Sequence, residues 1–464
     1  MRAVRSREPR EAAECRVPQV TPEARRYALG ELARRAGVPR TWFLSWRIES
    51  RPDSTLVSLG PECPVSLRFL HQPPGDPARE IPVARVPWPG GPLETDLVLP
   101  FCRDEQPRRP LYGVESGVCT CRLDLLASLV LTLSRAEERG APALDEHGRF
   151  PASASLAWRH GLLERPILDE HGLAFEQMLS SLTGRQPGPR RLRFKLTHDI
   201  DHVGLPFRLR SALGHAKRKK PGALLRDLAA WPSPLDTAEL AAVGRLAEIS
   251  RERKLQGAFY WKAAPRGRFD SGYDVRHPKI LRAIEHLRDR GSELGVHPGY
   301  HTFRDRPRLA AEVDELSEAL RLHSPGGRQH YLRWAPDTWL DWEACGLRYD
   351  SSLGFADAFG FRAGTAFPYR PWSLEQNREI DLIEVPLVLM DCTAVKYMRL
   401  RLPEAIERAG RLVERIARTG GVFTVLWHNT PLLDREYDGW YQAVLDMARG
   451  APGCELPARA SDLW

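Results

Sequence analysis

The chain has 464 residues, 42% of them hydrophobic and 28% charged, with a formal net charge of +8. Such a composition is typical of a globular protein and excludes a disordered or fibrous chain. No apolar run reaches the ~18 residues that a membrane-spanning helix needs. The N-terminus, MRAVRSREPREAAECRVP, lacks the apolar segment of a secretory signal, so we expect a cytoplasmic protein.

Neither the eight cysteines nor the basic charge indicates a special partner. The cysteines form no C-x-x-C pair, which argues against a zinc ribbon, and in the cytoplasm they should be reduced. The excess of arginine could attract a polyanion, but it is spread along the whole chain, so we expect no nucleic-acid partner. The densest basic cluster, at 217–220, is best explained as a solvated helix face, with peripheral membrane contact as the alternative.

The first part of the chain mixes helix and strand patterns. Residues 24–37 and 123–138 have helical patterns, whereas 54–59 and 65–70 have strand patterns. The segment TGRQPGPRR, at 183–191, contains two prolines and two glycines and is typical of a linker. We therefore predict a smaller α+β domain over residues 1–185, in which no spacing of residues indicates a chemistry.

Beyond the linker, strand-like and helix-like segments alternate. The strand-like runs end near Leu196, Trp261, Val296, Arg333, Tyr349, Leu389 and Trp427, and most of the intervals between them have helical patterns. This alternation indicates a parallel sheet, and its length suits a β/α barrel with one unit fewer than the usual eight. The predicted fold is therefore α/β, with a distorted (β/α)7 barrel over residues 190–464.

Ionisable residues directly follow several of these strands. Asp199 and Asp201 alternate in KLTHDIDH, so their side chains should point to the same side. His297 and His301, in HPGYH, could join Asp201 in binding one divalent metal ion and leave positions open for water and substrate. Asp199 then remains free to act as a base. The alternative is that the two histidines are unrelated surface residues.

Two further residues complete the candidate site. His428, in VFTVLWH, shares a strand face with Leu426 and Thr424 and should point into the mouth of the barrel, where it could act as an acid. Arg333, in HYLRWAP, is a candidate to orient the base carboxylate, and a surface salt bridge is the alternative. Carboxylates, histidines and a metal ion together indicate a metal-assisted hydrolase.

These residues resemble the polysaccharide deacetylase family, also called the NodB-homology or carbohydrate esterase family 4. THDID is similar to the family's first motif, HPGYH to H-[ST]-x-x-H, RWAP to a lengthened R-x-P, and VLWH to the final leucine–x–histidine. The aspartate–tryptophan motif has no counterpart, and Asp350 or Arg362 is the candidate to replace it. The stretches LSRAEE, DEHGRF and RPILDEHG are similar to the N-terminal region of a bacterial subgroup.

The resemblance implies one metal ion, expected to be zinc, on Asp201, His297 and His301. It also implies that Asp199 is the catalytic base and His428 the general acid. The implied enzyme is a deacetylase, a hydrolase of carbon–nitrogen bonds other than peptide bonds. Its substrate would be an N-acetylated sugar of a cell-surface polysaccharide or its precursor.

Two alternatives stay open at this point. The chain could hydrolyse a cyclic imide or ureide, or it could be a glycan-binding relative without catalytic activity. An open groove with exposed aromatic residues such as Trp334, Trp339 or Trp372 would favour a glycan, whereas a closed pocket would favour a small ring.

Overall fold

The structure, a computed structural model, describes residues 18–60, 63, 65–72, 81–139, 143–203, 238–431 and 435–456. The basic cluster at 217–220 lies outside these residues. In the part that is described, no helix combines the length and the apolar character that crossing a bilayer requires.

In its described residues, the first part of the chain combines five helices with two small sheets. Its helices are α1 (Pro22–Arg35), α2 (Arg40–Leu44), α3 (Leu125–Leu133), α4 (Leu156–Arg159) and α5 (Ile167–Thr183). Its strands are β1 (Arg47–Ser50), β2 (Ser54–Ser58), β3 (Ser66–Leu70), β4 (Val83–Pro87), β5 (Asp96–Pro100), β6 (Tyr112–Glu115) and β7 (Val118–Cys121). The strands form a sheet in the order β1-β2-β3-β7-β6 and a separate hairpin of β4 with β5. Helices α1 and α3 pack against each other and carry much of the buried apolar surface.

The second part is built on a parallel sheet. Its strands are β8 (Leu192–Asp199), β9 (Gly257–Trp261), β10 (Glu293–Val296), β11 (Tyr349–Asp350), β12 (Trp372–Ser373), β13 (Arg378–Glu379), β14 (Ile383–Glu384), β15 (Leu389–Met390), β16 (Gly421–Leu426) and β17 (Cys454–Glu455). The central order is β10-β9-β8-β16-β15, and β17 also pairs with β8. Because helices cover the sheet, its central strands β8, β9 and β16 are almost entirely buried, and β9 and β16 are also mostly apolar.

Among the residues that the structure describes, six helices follow or connect these strands. They are α6 (Ala238–Glu252), α7 (Pro278–Asp289), α8 (Arg306–Leu320), α9 (Thr338–Ala344), α10 (Leu402–Thr419) and α11 (Arg435–Gly450). Helix α10 shows how the sequence directs packing, because its buried residues recur at helical spacing and lie against β16. The predicted alternation of strands and helices is therefore confirmed.

The barrel is less regular than the sequence predicts. Single bridges join Val296 to Gly327 and Gly327 to Asp350, so the sheet continues from β10 to β11 and then to β14. Among the described residues no ladder joins β14 to β15, so the sheet of the predicted distorted barrel is not closed there. The strand predicted near Arg333 is wrong: the chain there forms a 3-10 turn, His330–Leu332.

Both of these bridges pass through Gly327. A Cβ atom at this position would lie 1.9 Å from the carbonyl oxygen of Val296, so only glycine permits the close approach of the two chains. The backbone then leaves the sheet, with Tyr331 at φ 62° and Leu332 at φ 53°. The turn that follows supplies part of the candidate site.

The two parts of the chain share one buried apolar core, which includes Leu29 and Leu129 on one side and Phe194 and Phe423 on the other. Residues 184–191 lie between α5 and β8 without helix or strand, where the linker was expected. The domain boundary itself stays a prediction.

Candidate metal and proton-transfer site

Asp201 lies at the centre of a cluster of imidazoles at the carboxyl end of the parallel sheet. Its Oδ1 atom is 3.1 Å from Nε2 of His297 and 3.3 Å from Nε2 of His330, and its Oδ2 atom is 3.6 Å from Nε2 of His428. His297 follows β10 directly and His428 follows β16 after one residue. Parallel strands converge on one face, which is why residues distant in sequence meet here.

The hydrogen bonds of the two nearer histidines determine which ring nitrogen faces Asp201. His297 donates from Nδ1 to the carbonyl oxygen of Arg328 at 2.6 Å, and His330 donates from Nδ1 to Asp270 at 2.8 Å. When both rings are neutral, each Nε2 carries a lone pair directed towards Asp201.

This donor set fits a divalent cation. Asp201, His297 and His330 each offer one ligand atom, and these atoms lie within 4.8 Å of one another. Three acceptor atoms that converge repel one another, so a cation between them removes an unfavourable interaction. Two nitrogens and one oxygen, with further positions open, are typical of catalytic rather than structural zinc sites.

His301, the second histidine of HPGYH, is not brought to this cluster. Its side chain is exposed, on the 3-10 turn Tyr300–Thr302, and its ring contacts Phe269 and Tyr300. Pro298 and Gly299 prevent the regular helix in which residues four apart lie on the same face. The structure therefore places His330, rather than His301, beside Asp201 and His297.

Asp199 forms an ion pair with an arginine, Arg328, that was not predicted from the sequence. Nη1 of Arg328 donates to Oδ1 of Asp199 at 2.9 Å, and both side chains are buried. Arg328 also donates to the carbonyl oxygen of Ser351 at 2.8 Å, which fixes its plane. The other oxygen of Asp199 is 3.8 Å from Nε2 of His297, so one carboxylate oxygen is anchored and one faces the metal ligands.

Arg333, predicted to orient the base, lies elsewhere. Its guanidinium donates to the carbonyl oxygens of His147 at 2.8 Å and of Tyr300 at 2.5 Å, and it stacks over the rings of Tyr300 and Phe303. These contacts attach the segment around His147 to the second part of the chain. The arrangement indicates a structural role for Arg333.

His428 is oriented by Asp391, which follows β15 directly. Asp391 accepts from Nδ1 of His428 at 2.7 Å and from its backbone N–H at 2.8 Å. Burial disfavours the imidazolium, but the negative charge of Asp391 outweighs it and raises the pKa of His428 well above its usual range. His428 is therefore a protonated donor whose Nε2 faces Asp201.

A second buried pair supports the metal ligands. Lys262, which follows β9, lies 2.9 Å from Oδ1 of Asp270, and Asp270 also accepts from His330 and from the backbone N–H of Tyr300. Burial opposes ionisation, but these donors lower the pKa of Asp270. Against burial, the pKa of Asp201 is likewise held well below its usual range by the positive charges of a protonated His330 and of Lys262 and by hydrogen bonds from protonated imidazoles. In the neutral form of the two rings, Lys262 is the one of these charges that remains.

The candidates for the missing aspartate–tryptophan motif lie outside the site. Asp350 accepts from the backbone N–H and the hydroxyl of Ser352, and burial raises its pKa to about 7. Arg362 donates to Glu138 and to the carbonyl oxygen of Gly354. Neither contacts His428 in the described residues, and Asp391 occupies the position beside it.

The aromatic residues expected beside a glycan groove are buried. Trp334 and Trp339 are each 1% exposed and Trp372 is 6% exposed. A different aromatic cluster adjoins the metal ligands: the ring of Tyr331 contacts those of His330 and Phe269, and His147 packs on both Tyr331 and Phe269. The segment before the linker thus reaches the edge of the site.

Five residues of the site were missed at the level of sequence: Lys262, Asp270, Arg328, His330 and Asp391. The sequence pattern could have identified Lys262 and Asp391, because each directly follows an apolar strand-like run, in GAFYWK and LVLMD. Arg328 and His330 lie in an irregular turn, and Asp270 lies in a loop, so periodicity gave no indication of them.

Comparisons with known proteins give limited matches. A family of unknown function, DUF7033, matches residues 81–184, and a search of curated proteins found no match. Similar solved structures include a protein from Mycobacterium smegmatis described as a polysaccharide deacetylase, with 16% identity over 59% of this chain and 88% of that chain and a TM-score of 0.41.

Two further structures show a comparable likeness. One is PuuE allantoinase, with 13% identity over 60% of this chain and 91% of that chain and a TM-score of 0.41. The other, from Pseudomonas aeruginosa PAO1, is also described as a polysaccharide deacetylase. It has 13% identity over 61% of this chain and 95% of that chain, and a TM-score of 0.39. Any function has to be argued from the geometry of the site.

Proposed function

We propose that this protein is a metal-dependent hydrolase that removes acetyl groups from N-acetylated sugars. The observation that carries the proposal is the convergence of Asp201, His297 and His330, with a held carboxylate, Asp199, and a held imidazolium, His428, beside them. A hydrolase of amides needs these three components: an activated water, a base and an acid for the leaving amine.

The ligand set would hold one divalent ion, for which zinc is the best candidate. Such an ion supplies Lewis acidity, which acidifies water and polarises an acyl carbonyl. Asp199 accepts the proton of the attacking water through the oxygen that Arg328 leaves free. The ion pair with Arg328 holds the carboxylate of Asp199 in one orientation.

His428 then protonates the leaving nitrogen from Nε2. Asp391 holds Nδ1, so only Nε2 can donate towards the substrate. An amine anion is a very poor leaving group, and the raised pKa of His428 ensures that the proton is present near neutral pH. The acid is therefore next to Oδ2 of Asp201, and the base is next to Nε2 of His297.

A second candidate function is the opening of a cyclic imide or ureide. It is supported by the burial of Trp334, Trp339 and Trp372, because no glycan groove can be built on them. The rings of Tyr331, Phe269 and His147 instead form a compact wall beside His330. The same base, acid and metal ligands would serve this reaction.

The test is a product assay on three substrate groups: N-acetylglucosamine oligomers, lipid-linked N-acetylated sugars and cyclic ureides. We expect acetate release from a sugar, abolished by metal stripping and restored by added zinc. Ring opening of a ureide without acetate from any sugar would assign the second function. Tight glycan binding without turnover, under several added metals, would contradict both.

A further inference from the structure

Lys262 places a buried ammonium group beside the predicted metal ligands. Its side chain is 2% exposed, and Nζ lies 3.1 Å from Nδ1 and 3.3 Å from Nε2 of His330. The same atom is 2.9 Å from Oδ1 of Asp270 and 3.8 Å from Oδ1 of Asp201. Any cation held by Asp201 and His330 therefore has this ammonium as a close neighbour.

Charge counting shows why the lysine matters. Arg328 compensates Asp199, and the imidazolium of His428 compensates Asp391, so neither pair adds net charge to the ligand set. Asp270 lies behind His330 and, on its own, would add a second negative charge to that of Asp201. The positive charge of Lys262 cancels the negative charge of Asp270. The ligand set, together with Asp270 and Lys262, then has a net charge of minus one, that of Asp201.

A carboxylate behind a metal-ligating histidine normally strengthens metal binding, because it makes the imidazole more electron-rich. We propose that Lys262 opposes this effect, as a positioning residue that lowers the affinity of the site for its divalent cation. It orients Asp270 through their ion pair while its charge repels the cation. This inference rests on the proposed function, because it requires that Asp201, His297 and His330 hold the ion.

The consequence for the reaction is a more electrophilic metal ion. A ligand set that donates less charge leaves the ion more able to polarise a carbonyl oxygen, at the expense of tight binding. Lys262 would also keep the cluster of acceptors stable before the ion binds, because it supplies a positive charge next to Asp201 and Asp270.

The experiment is a zinc titration of the metal-stripped full chain, in competition with a chromophoric chelator at fixed pH. We expect Lys262→Met to bind zinc about tenfold or more tightly than the parent, because a like charge has been removed. Lys262→Arg keeps the charge and should bind within about threefold of the parent. Lys262→Gln serves as a second neutral variant and should also tighten binding.

Lys195 provides a matched control. It is also a buried lysine of the same sheet, and it pairs with Glu293, away from the metal ligands. Lys195→Met should leave zinc affinity unchanged, and circular dichroism with thermal unfolding verifies that each variant is folded.

Unchanged or weaker zinc binding in folded Lys262→Met and Lys262→Gln would overturn the inference. If neither the parent nor these variants bind any divalent metal, the ligand assignment fails, and the inference fails with it. If the parent binds zinc but shows no hydrolysis, only the proposed activity fails, because the affinity comparison is made without substrate.

Discussion

Two buried networks in this protein each centre on a carboxylate, but the groups that surround the carboxylate differ. In the anchor network, Glu138 accepts from Arg135 at 2.8 Å and from Arg362 at 2.5 Å, and all three side chains are 1% exposed. In the site, Asp201 is also largely buried, but it faces imidazole nitrogens whose protons are engaged elsewhere. The anchor network joins the first part of the chain to the second.

The difference indicates how a structural carboxylate can be distinguished from a functional one. Each oxygen of Glu138 receives donors, so the network is complete within the protein. Around Asp201, the ligand atoms of His297 and His330 converge, which is an arrangement that suits a cation. Burial or a lowered pKa alone does not separate the two, because the pKa of Glu138 is also lowered, by Arg362 and Arg135 against burial. The direction of the hydrogen bonds separates the two carboxylates. Glu138 accepts from donors on both oxygens, whereas Asp201 faces imidazole nitrogens whose protons are engaged elsewhere.

The largest effect should come from removing the base. Asp199→Asn should lower the rate of hydrolysis by about a hundredfold to ten-thousandfold, because the amide cannot accept the proton of water. Metal content should stay near that of the parent, since Asp199 is assigned to proton transfer. The control is Glu146→Gln, which changes a highly exposed carboxylate near the site and should leave the rate unaltered. Loss of metal in Asp199→Asn would mean that this aspartate is a ligand.

Breaking the anchor network should affect stability instead of chemistry. Glu138→Ala leaves the buried Arg362 without its carboxylate and Arg135 with Glu137 alone, so we expect the free energy of unfolding to fall by about 3–5 kcal/mol. Urea unfolding measures this loss, and the turnover per folded molecule should match that of the parent. A stable Glu138→Ala protein without activity would show that the two networks are not separate in function.

A smaller effect is expected in the pH dependence of the acid. Asp391 raises the pKa of His428, and the reaction needs His428 protonated, so activity is lost as pH rises through that pKa. In Asp391→Asn the charge is gone, and the basic limb of the kcat/KM profile should move to lower pH. Asp305→Asn, on the exposed start of α8, is the control. An unmoved basic limb would argue against His428 as the acid.

The sequence predicts the residues that follow regular strands and misses those that follow irregular turns. Asp201, His297 and His428 lie at the ends of strands that converge because the sheet is parallel, and this convergence follows from the alternation of patterns alone. His330 and Arg328 come after Gly327, where the chain leaves the sheet with two left-handed residues. Which side chains such a turn directs inwards depends on packing against distant segments, including the one around His147.

The smallest effect should come from His301→Ala. Because its ring is exposed and remote from Asp201, we expect metal content and rate within about twofold of the parent, as for most surface substitutions. The variant is informative because His301 completes the sequence motif while His330 completes the observed cluster.

The most direct test is therefore the zinc content of His330→Ala and His301→Ala, purified side by side and dialysed against the same weak chelator. The account predicts that the parent and His301→Ala each retain about one zinc per chain, while His330→Ala loses it because one of three ligands is gone. Full zinc in His330→Ala, together with loss in His301→Ala, would contradict it.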